Sequence, residues 1–206
     1  MSRSRTIAVG LAVGAMLAMS VAGCAKEIGG YPEGAPTTAP TTTPGGSGGG
    51  GSTAGDRFCA TLKPSMVQQA FGVPGAKVTT GREQSNNGVT AVSCAITAGS
   101  PTQPLVISVI AFDYSGVATA TVSTVLQNAQ QQLAAAAQVT NLQPLSGIGA
   151  SDAAFSCDIA AKDGSTGAVV FAAKQLSSGV SANDITVAGQ VQQSQVIAFA
   201  KLVDAG

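Results

Sequence analysis

Recurring patterns of apolar residues divide the C-terminal three quarters of the chain into strands and helices. The segment from Pro64 to Phe71 has one apolar helical face and is followed by Gly72 and Pro74, which predicts a short N-terminal helix. Seven further segments are predicted to be strands from their composition and the turn residues that bound them: Ala76–Gln84, Val89–Ala98, Pro104–Phe112, Val139–Leu145, Ala153–Ala161, Ala168–Leu176 and Val180–Val187.

Two more helices are predicted from apolar positions that recur about every 3.6 residues. A long central helix is expected from Gly116 to Gln138, capped by Ser115, and a C-terminal helix from Val191 to Val203. This order of elements predicts an α+β fold with a largely antiparallel sheet. It also suggests two similar halves joined by the long central helix.

Two of the predicted strands are apolar on both faces. Leu105–Phe112 and Ala168–Ala173 lack the alternation of apolar and polar residues that a half-buried strand shows. These strands must therefore be covered on both sides. We favour central strands between two packed layers, and the alternative is a cleft that holds an apolar molecule.

The N-terminal segment has the features of an export signal. Arg3 and Arg5 precede a short apolar run that ends in Val21-Ala22-Gly23-Cys24. A basic start, an apolar stretch and small residues at the cleavage site are typical of signal peptides rather than of spanning helices. Residues 1–23 are therefore predicted to be a lipoprotein signal peptide, with lipidation at Cys24. The alternative is an ordinary cleaved signal with an incidental cysteine.

A disordered tether is predicted after the lipidated residue. Residues 24–55 are dominated by Pro, Thr, Gly and Ser, and they offer little apolar surface to bury. Residues 56–206 are then predicted to form a single globular domain. The expected location is the extracytoplasmic face of the cell membrane.

Charge and composition argue against several classes of function. The chain has ten basic and ten acidic residues, and removal of Arg3 and Arg5 with the signal leaves a net charge of −2. Without a basic stripe, we expect no nucleic-acid partner. The chain contains no histidine, so imidazole-based triads and imidazole metal sites are excluded. We predict no catalytic residue, no metal and no cofactor.

The segment from Gly147 to Asp152 loosely resembles a dinucleotide fingerprint, but a tight turn explains it better.

Three cysteines follow the lipidated one. We favour a disulfide between Cys59 and Cys94, with Cys157 as a buried and inert thiol. A bridge between Cys94 and Cys157 across neighbouring strands is the alternative.

Several of these features together resemble the small lipoproteins of actinobacteria, including mycobacteria, which carry one extracytoplasmic domain of unknown function. The resemblance rests on the following residues: the Val21–Cys24 lipobox, the tether, Cys59 with Leu62, the helix ending Ala70-Phe71-Gly72, Cys94 in a strand, and Gly147-Ile148-Gly149 followed by Phe155. It implies a Cys59–Cys94 disulfide and a cell-envelope location, and it implies no catalytic residues.

The leading functional hypothesis is therefore a non-enzymatic binding module in the cell envelope. Its partners would be the membrane, through the lipid on Cys24, and either an apolar ligand or an envelope protein. The second hypothesis is an accessory subunit of a transport or sensing assembly that works through protein contacts. The third is a wall-modifying hydrolase, which would need two aspartates converging in a cleft.

Overall fold

The computed structural model describes residues 54–100, 103–146 and 148–205. Four helices and seven strands occur in these residues. In chain order they are α1 (Ala54–Thr61), α2 (Pro64–Phe71), β1 (Lys77–Asn86), β2 (Val89–Ser100), β3 (Gln103–Asp113), α3 (Val122–Ala136), β4 (Ala137–Leu145), β5 (Ala153–Ala161), β6 (Thr166–Leu176), β7 (Gly179–Ala188) and α4 (Gln193–Ala205).

The strands form one open antiparallel sheet in the order β1-β2-β3-β7-β6-β5-β4. Tight turns between consecutive strands explain much of this order. Asn87 and Gly88 both have positive φ (49° and 80°), as a two-residue hairpin turn requires. Asp163 and Gly164 make the turn between β5 and β6, where Gly164 has φ 84°. The central pairing of β3 with β7 joins a three-strand meander to a four-strand meander.

Helices cover both faces of the sheet. On one side, which we call the three-helix face, α1 packs on β1 and β2, α4 packs on β5 to β7, and α2 packs on α4. On the other side, which we call the α3 face, the covering helix is α3, which packs on β4 to β7. The sheet is therefore the middle layer of three, and its two faces have separate apolar cores.

This layering accounts for the strands that are apolar on both faces. In β3, Ile107 and Val109 are buried on the three-helix face of the sheet. Ile110 and Phe112 are buried on its α3 face. The residues of β6 are divided in the same way. These strands are covered by helices of the same chain, as we favoured from their sequence, and they need no ligand to cover them.

The α+β class and the antiparallel sheet are confirmed, whereas the long central helix is not. The segment predicted to be helical from Gly116 to Gln138 forms a 15-residue helix that begins at Val122. Residues 114–121 make two successive turns instead. Gly116 lies against the β1–β2 hairpin, where a Cβ would be 2.7 Å from Cα of Gly88. This close backbone contact fixes a turn where the sequence pattern continues as a helix.

Helix α1 was not predicted. Its eight residues follow directly on the Gly/Ser-rich segment, and two helical turns are too short to show a repeating apolar period. The predicted start of the domain at Asp56 lies within this helix.

The helix Pro64–Phe71 is confirmed at both ends, and Gly72 closes it in the left-handed conformation (φ 71°).

Candidate functional site

The predicted disulfide between Cys59 and Cys94 is present. It joins α1 to β2, with the two Cα atoms 5.7 Å apart, and both side chains are buried. Cys24 and residues 25–53 of the predicted tether lie outside the described residues, whereas residues 54 and 55, also assigned to the tether, begin helix α1.

Cys157 is a free and fully buried thiol. It lies on the α3 face of β5, whereas Cys94 lies on the three-helix face of β2, and β3, β7 and β6 run between the two strands. The alternative Cys94–Cys157 bridge is therefore wrong. Burial raises the pKa of the Cys157 thiol to about 12, with smaller contributions from the charges of Asp184 and Asp158. The thiol is protonated at neutral pH and is a poor nucleophile.

Residues 148–152 of the segment that resembles a dinucleotide fingerprint form a turn between β4 and β5. Asp204 at the end of α4 accepts hydrogen bonds from the backbone N–H groups of Ala150 (2.6 Å) and Ser151 (3.1 Å). Asp152 accepts one from the backbone N–H of Gln175. These carboxylates tie the turn to α4 and β6, so the motif has a structural role.

The other aspartates of the strands and turns are also dispersed. Three of them accept hydrogen bonds within the fold: Asp113 from Ser115 N–H, Asp163 from Ser165 N–H, and Asp158 from the Asn141 amide of the neighbouring strand. No group of three or more His, Cys, Asp or Glu side chains that could hold a metal ion occurs within the described ranges.

An apolar groove lies on the α3 face, between the C-terminal half of α3 and strands β4 and β5. It has a volume of about 380 Å³, which is at the lower end of the range of small-molecule pockets. Its lining consists of Gln130, Gln131, Leu133, Ala134, Val139, Leu142, Phe155 and Cys157. There is no carboxylate among these residues.

A bulge in the edge strand β4 shapes the mouth of this groove. The register with β5 shifts between Thr140 and Gln143, and Asn141 has a positive φ of 52°. The side-chain amide of Asn141 donates a hydrogen bond to the Asp158 carboxylate (2.7 Å), and the backbone carbonyl of Asn141 accepts one from the Gln193 side chain (3.2 Å). These two bonds fix the bulge. Bulges re-aim side chains at sheet edges, and here Leu142 is placed on the groove while remaining 48% exposed.

The segment that supplies one wall of the groove and its edge strand carries no charge. From Ser115 to Ser151 the sequence contains no Asp, Glu, Lys or Arg, and this segment supplies all of α3 and β4. The polar residues of the lining are Gln130 and Gln131 on α3. An amide offers hydrogen bonds without charge. The groove can therefore take an apolar group and one or two neutral hydrogen-bonding groups.

A buried carboxylate lies in the same layer of the structure. Asp184 of β7 is 1% exposed, and its Oδ1 accepts a hydrogen bond from the Thr186 hydroxyl (3.0 Å), while its Oδ2 has no partner. Burial raises the pKa of Asp184 to about 6, against a smaller lowering by the Thr186 hydrogen bond. Burial, followed by the charge of Asp184, raises the pKa of Tyr114 to about 12.

Sequence reasoning missed both the groove and the burial of Asp184. The signals for the groove were Asn141 and Pro144 within a predicted strand, since both residue types disfavour a regular ladder. Asp184 falls on an apolar strand pattern, between Ala182 and Thr186 on the same face. Its burial depends on the helix that packs above it.

Comparisons with family models, with curated proteins and with solved structures found no match. Among the helices of the described residues, none has the length and apolar character needed to cross a bilayer.

Proposed function

We propose that this protein is a lipid-anchored module of the cell envelope that holds a small, neutral apolar ligand in the groove between α3 and strands β4 and β5. The groove is the observation that carries the proposal, because it is an uncharged, apolar depression with an exposed leucine at its mouth. The signal-like N-terminus, Cys24 and the tether support a location outside the cytoplasmic membrane, as in the actinobacterial lipoproteins that the sequence resembles. The Cys59–Cys94 disulfide is in keeping with such an oxidising compartment.

The chemistry of the lining favours a neutral ligand over an anionic lipid. Neither Lys nor Arg occurs among the groove residues or anywhere between Ser115 and Ser151. A carboxylate or phosphate in the groove would lose its hydration without gaining a cationic partner. A volume of about 380 Å³ suits one alkyl chain or a compact apolar group rather than a complete phospholipid.

The distribution of exposed apolar side chains favours a ligand over a docked protein. Among the described residues, the exposed large hydrophobic side chains are Leu142 and Leu176. A protein-docking surface usually presents a contiguous apolar patch of several hundred Å². Leu142 instead lies at the mouth of the groove, where it can close over a bound ligand.

A groove-filling substitution tests this function. Ala134 is exposed on α3 and lines the groove, so Ala134→Phe is expected to fill it without disturbing the core. The matched control is Ala198→Phe, an exposed alanine on α4 at the other side of the sheet. The full acylated chain would be expressed in an actinobacterial host and examined by native mass spectrometry with lipid extraction.

We expect wild type and Ala198→Phe to carry a stoichiometric non-covalent apolar mass, and Ala134→Phe to lack it. A fluorescent fatty alcohol should bind more tightly than the corresponding fatty acid at pH 7, since the groove offers no cation. A bare wild-type mass that also fails to bind the alcohol would contradict the proposal. It would leave protein docking as the function to test by crosslinking.

A further inference from the structure

Asp184 lies in the middle of the sheet, on β7, which has three strands on either side of it in the sheet order. Its cross-strand neighbours are Ile110 on β3 and Phe171 on β6. All three side chains are buried on the α3 face. A carboxylate at this position has lost its water on every side.

No cation faces Asp184 from the elements packed around it. The other charged residues of strands β2 to β7 are Asp113, Asp158 and Lys174, and strand alternation directs them to the opposite face of the sheet. Helix α3 contains no charged residue, and Lys77 is exposed on the edge strand β1, three strands away.

The titratable groups near Asp184 are Tyr114 and Cys157. The pKa values of both are raised by burial and then by the charge of Asp184, so both groups are neutral at neutral pH. Neither can therefore compensate a negative charge on Asp184.

Two buried acceptors in the layer between α3 and the sheet have no hydrogen-bond donor. Oδ2 of Asp184 and Oε1 of Gln132 on α3 are both buried without a partner. Each is an acceptor, and a buried acceptor without a donor destabilises the folded state. A proton on Asp184 would turn one of these acceptors into a donor, whereas ionisation would leave an unpaired charge in an apolar layer.

We propose that Asp184 is held protonated in the folded protein under mildly acidic conditions and serves as a pH-sensitive latch beneath α3, whose packing on the sheet loosens when the proton is lost. Helix α3 forms one wall of the groove, so ionisation would also ease access to it. This last consequence rests on the proposed function, and the latch itself does not.

The direction of the pH effect follows from the pKa of Asp184, which burial raises to about 6. A carboxyl group whose pKa is higher in the folded state than in the unfolded state, about 3.9, stabilises the fold fully below the unfolded value. That contribution is lost as the pH rises through about 6. This is the reverse of Asp163, an exposed group whose pKa is lowered by hydrogen bonds from Ser165.

The first test compares the unfolding equilibrium of the full chain with that of Asp184→Asn between pH 4 and pH 7. Asparagine has the same shape, keeps the acceptor for Thr186 and cannot ionise. We expect the wild-type unfolding constant to rise on the order of 100-fold more than that of the variant over this range. Asp158→Asn, on the opposite face of β5, should keep the wild-type pH dependence. If the unfolding constants of wild type and Asp184→Asn changed equally with pH, the proposal would be overturned.

Two further measurements use the folded protein. The ¹³C shift of the Asp184 carboxyl carbon in the wild-type chain should titrate near pH 6, and a midpoint at or below 4 would overturn the proposal even if the variant failed to fold. Hydrogen exchange in α3, compared with Asp184→Asn at each pH, should accelerate above pH 6 more than exchange in β2. If hydrogen exchange accelerated equally in α3 and β2, the proposed latch would be overturned.

The groove is tested separately by its ligand. Binding of the fatty alcohol with no pH effect on α3 would overturn the latch and leave the proposed function standing. A pH effect on α3 in a protein that binds no ligand would support the latch and contradict the proposed function.

Discussion

At the scale of single residues, the turn between β4 and β5 depends on a missing side chain. Gly149 has a positive φ of 54°, and a Cβ there would lie 2.7 Å from Cβ of Asp204. The absence of that carbon lets the Asp204 carboxylate reach the backbone N–H groups of Ala150 and Ser151. The glycine therefore serves the docking of α4 rather than the binding of a phosphate.

Replacement of this glycine tests that role. We expect Gly149→Ala to lower the free energy of unfolding by about 2–4 kcal/mol, because a left-handed alanine costs ~1–2 kcal/mol and the steric overlap about as much again. Gly164→Ala is the matched control, since its φ is 84° but nothing lies within 4 Å of the new Cβ. Chemical denaturation of the two variants would show equal losses if the contact with Asp204 were unimportant.

At the scale of elements, helix α3 shows where a periodic pattern misleads. Apolar residues continue upstream of Val122, and Val117 and Ala120 still pack into the α3-face core, but they do so from turns. The helix begins where Thr121 and Thr124 cap each other's backbone N–H groups. At its other end, Ala137 is already extended, so the helix passes into the edge strand β4 without a loop.

The position of this cap can be measured. Thr121→Ala is expected to destabilise the protein by about 1 kcal/mol, since it removes the side chain that satisfies the first turn of α3. Ser115→Ala changes the residue that the sequence pattern suggested as the cap and should have almost no effect. Thermal unfolding of both variants distinguishes the two helix starts, and a larger loss for Ser115→Ala would contradict the observed one.

At the scale of the whole molecule, the disulfide connects the outer helical layer to the sheet. Cys59 belongs to α1 and Cys94 to β2, and 35 residues separate them in the chain. A crosslink of this span stabilises mainly by restricting the unfolded chain. The bond adds a covalent link to the contact of α1 with β1 and β2.

Removal of the disulfide should therefore destabilise the fold as a unit. We expect the double substitution Cys59→Ala and Cys94→Ala to lower the free energy of unfolding by about 3–4 kcal/mol. Addition of a reductant should shift wild type toward the variant and leave the variant unchanged. If the reductant destabilised the double variant as well, a bond other than Cys59–Cys94 would be responsible.

Most element positions could be predicted because the evidence for them is local. The alternation in β5, the turn residues Asn87 and Gly88, and the proline-to-glycine bounds of α2 each act within a few residues of the chain. The absence of histidine is likewise a property of composition alone, and it excludes imidazole chemistry whatever the fold. The Cys59–Cys94 pairing was favoured over Cys94–Cys157 from the sequence, and the packing of α1 on β2 decided between them.

The candidate site could not be predicted in this way, because it arises between elements that face one another across a layer. The groove exists because a bulge at Asn141 turns Leu142 toward a helix that crosses above β4 and β5. Asp184 is buried because α3 and its strand neighbours exclude water around it. The sequence alone determined the strands and most of the helices, the N-terminal lipoprotein prediction and the chemistry that is excluded, since these depend on residue type and spacing. Only the tertiary structure decided which surfaces are covered, because burial depends on what packs across a face.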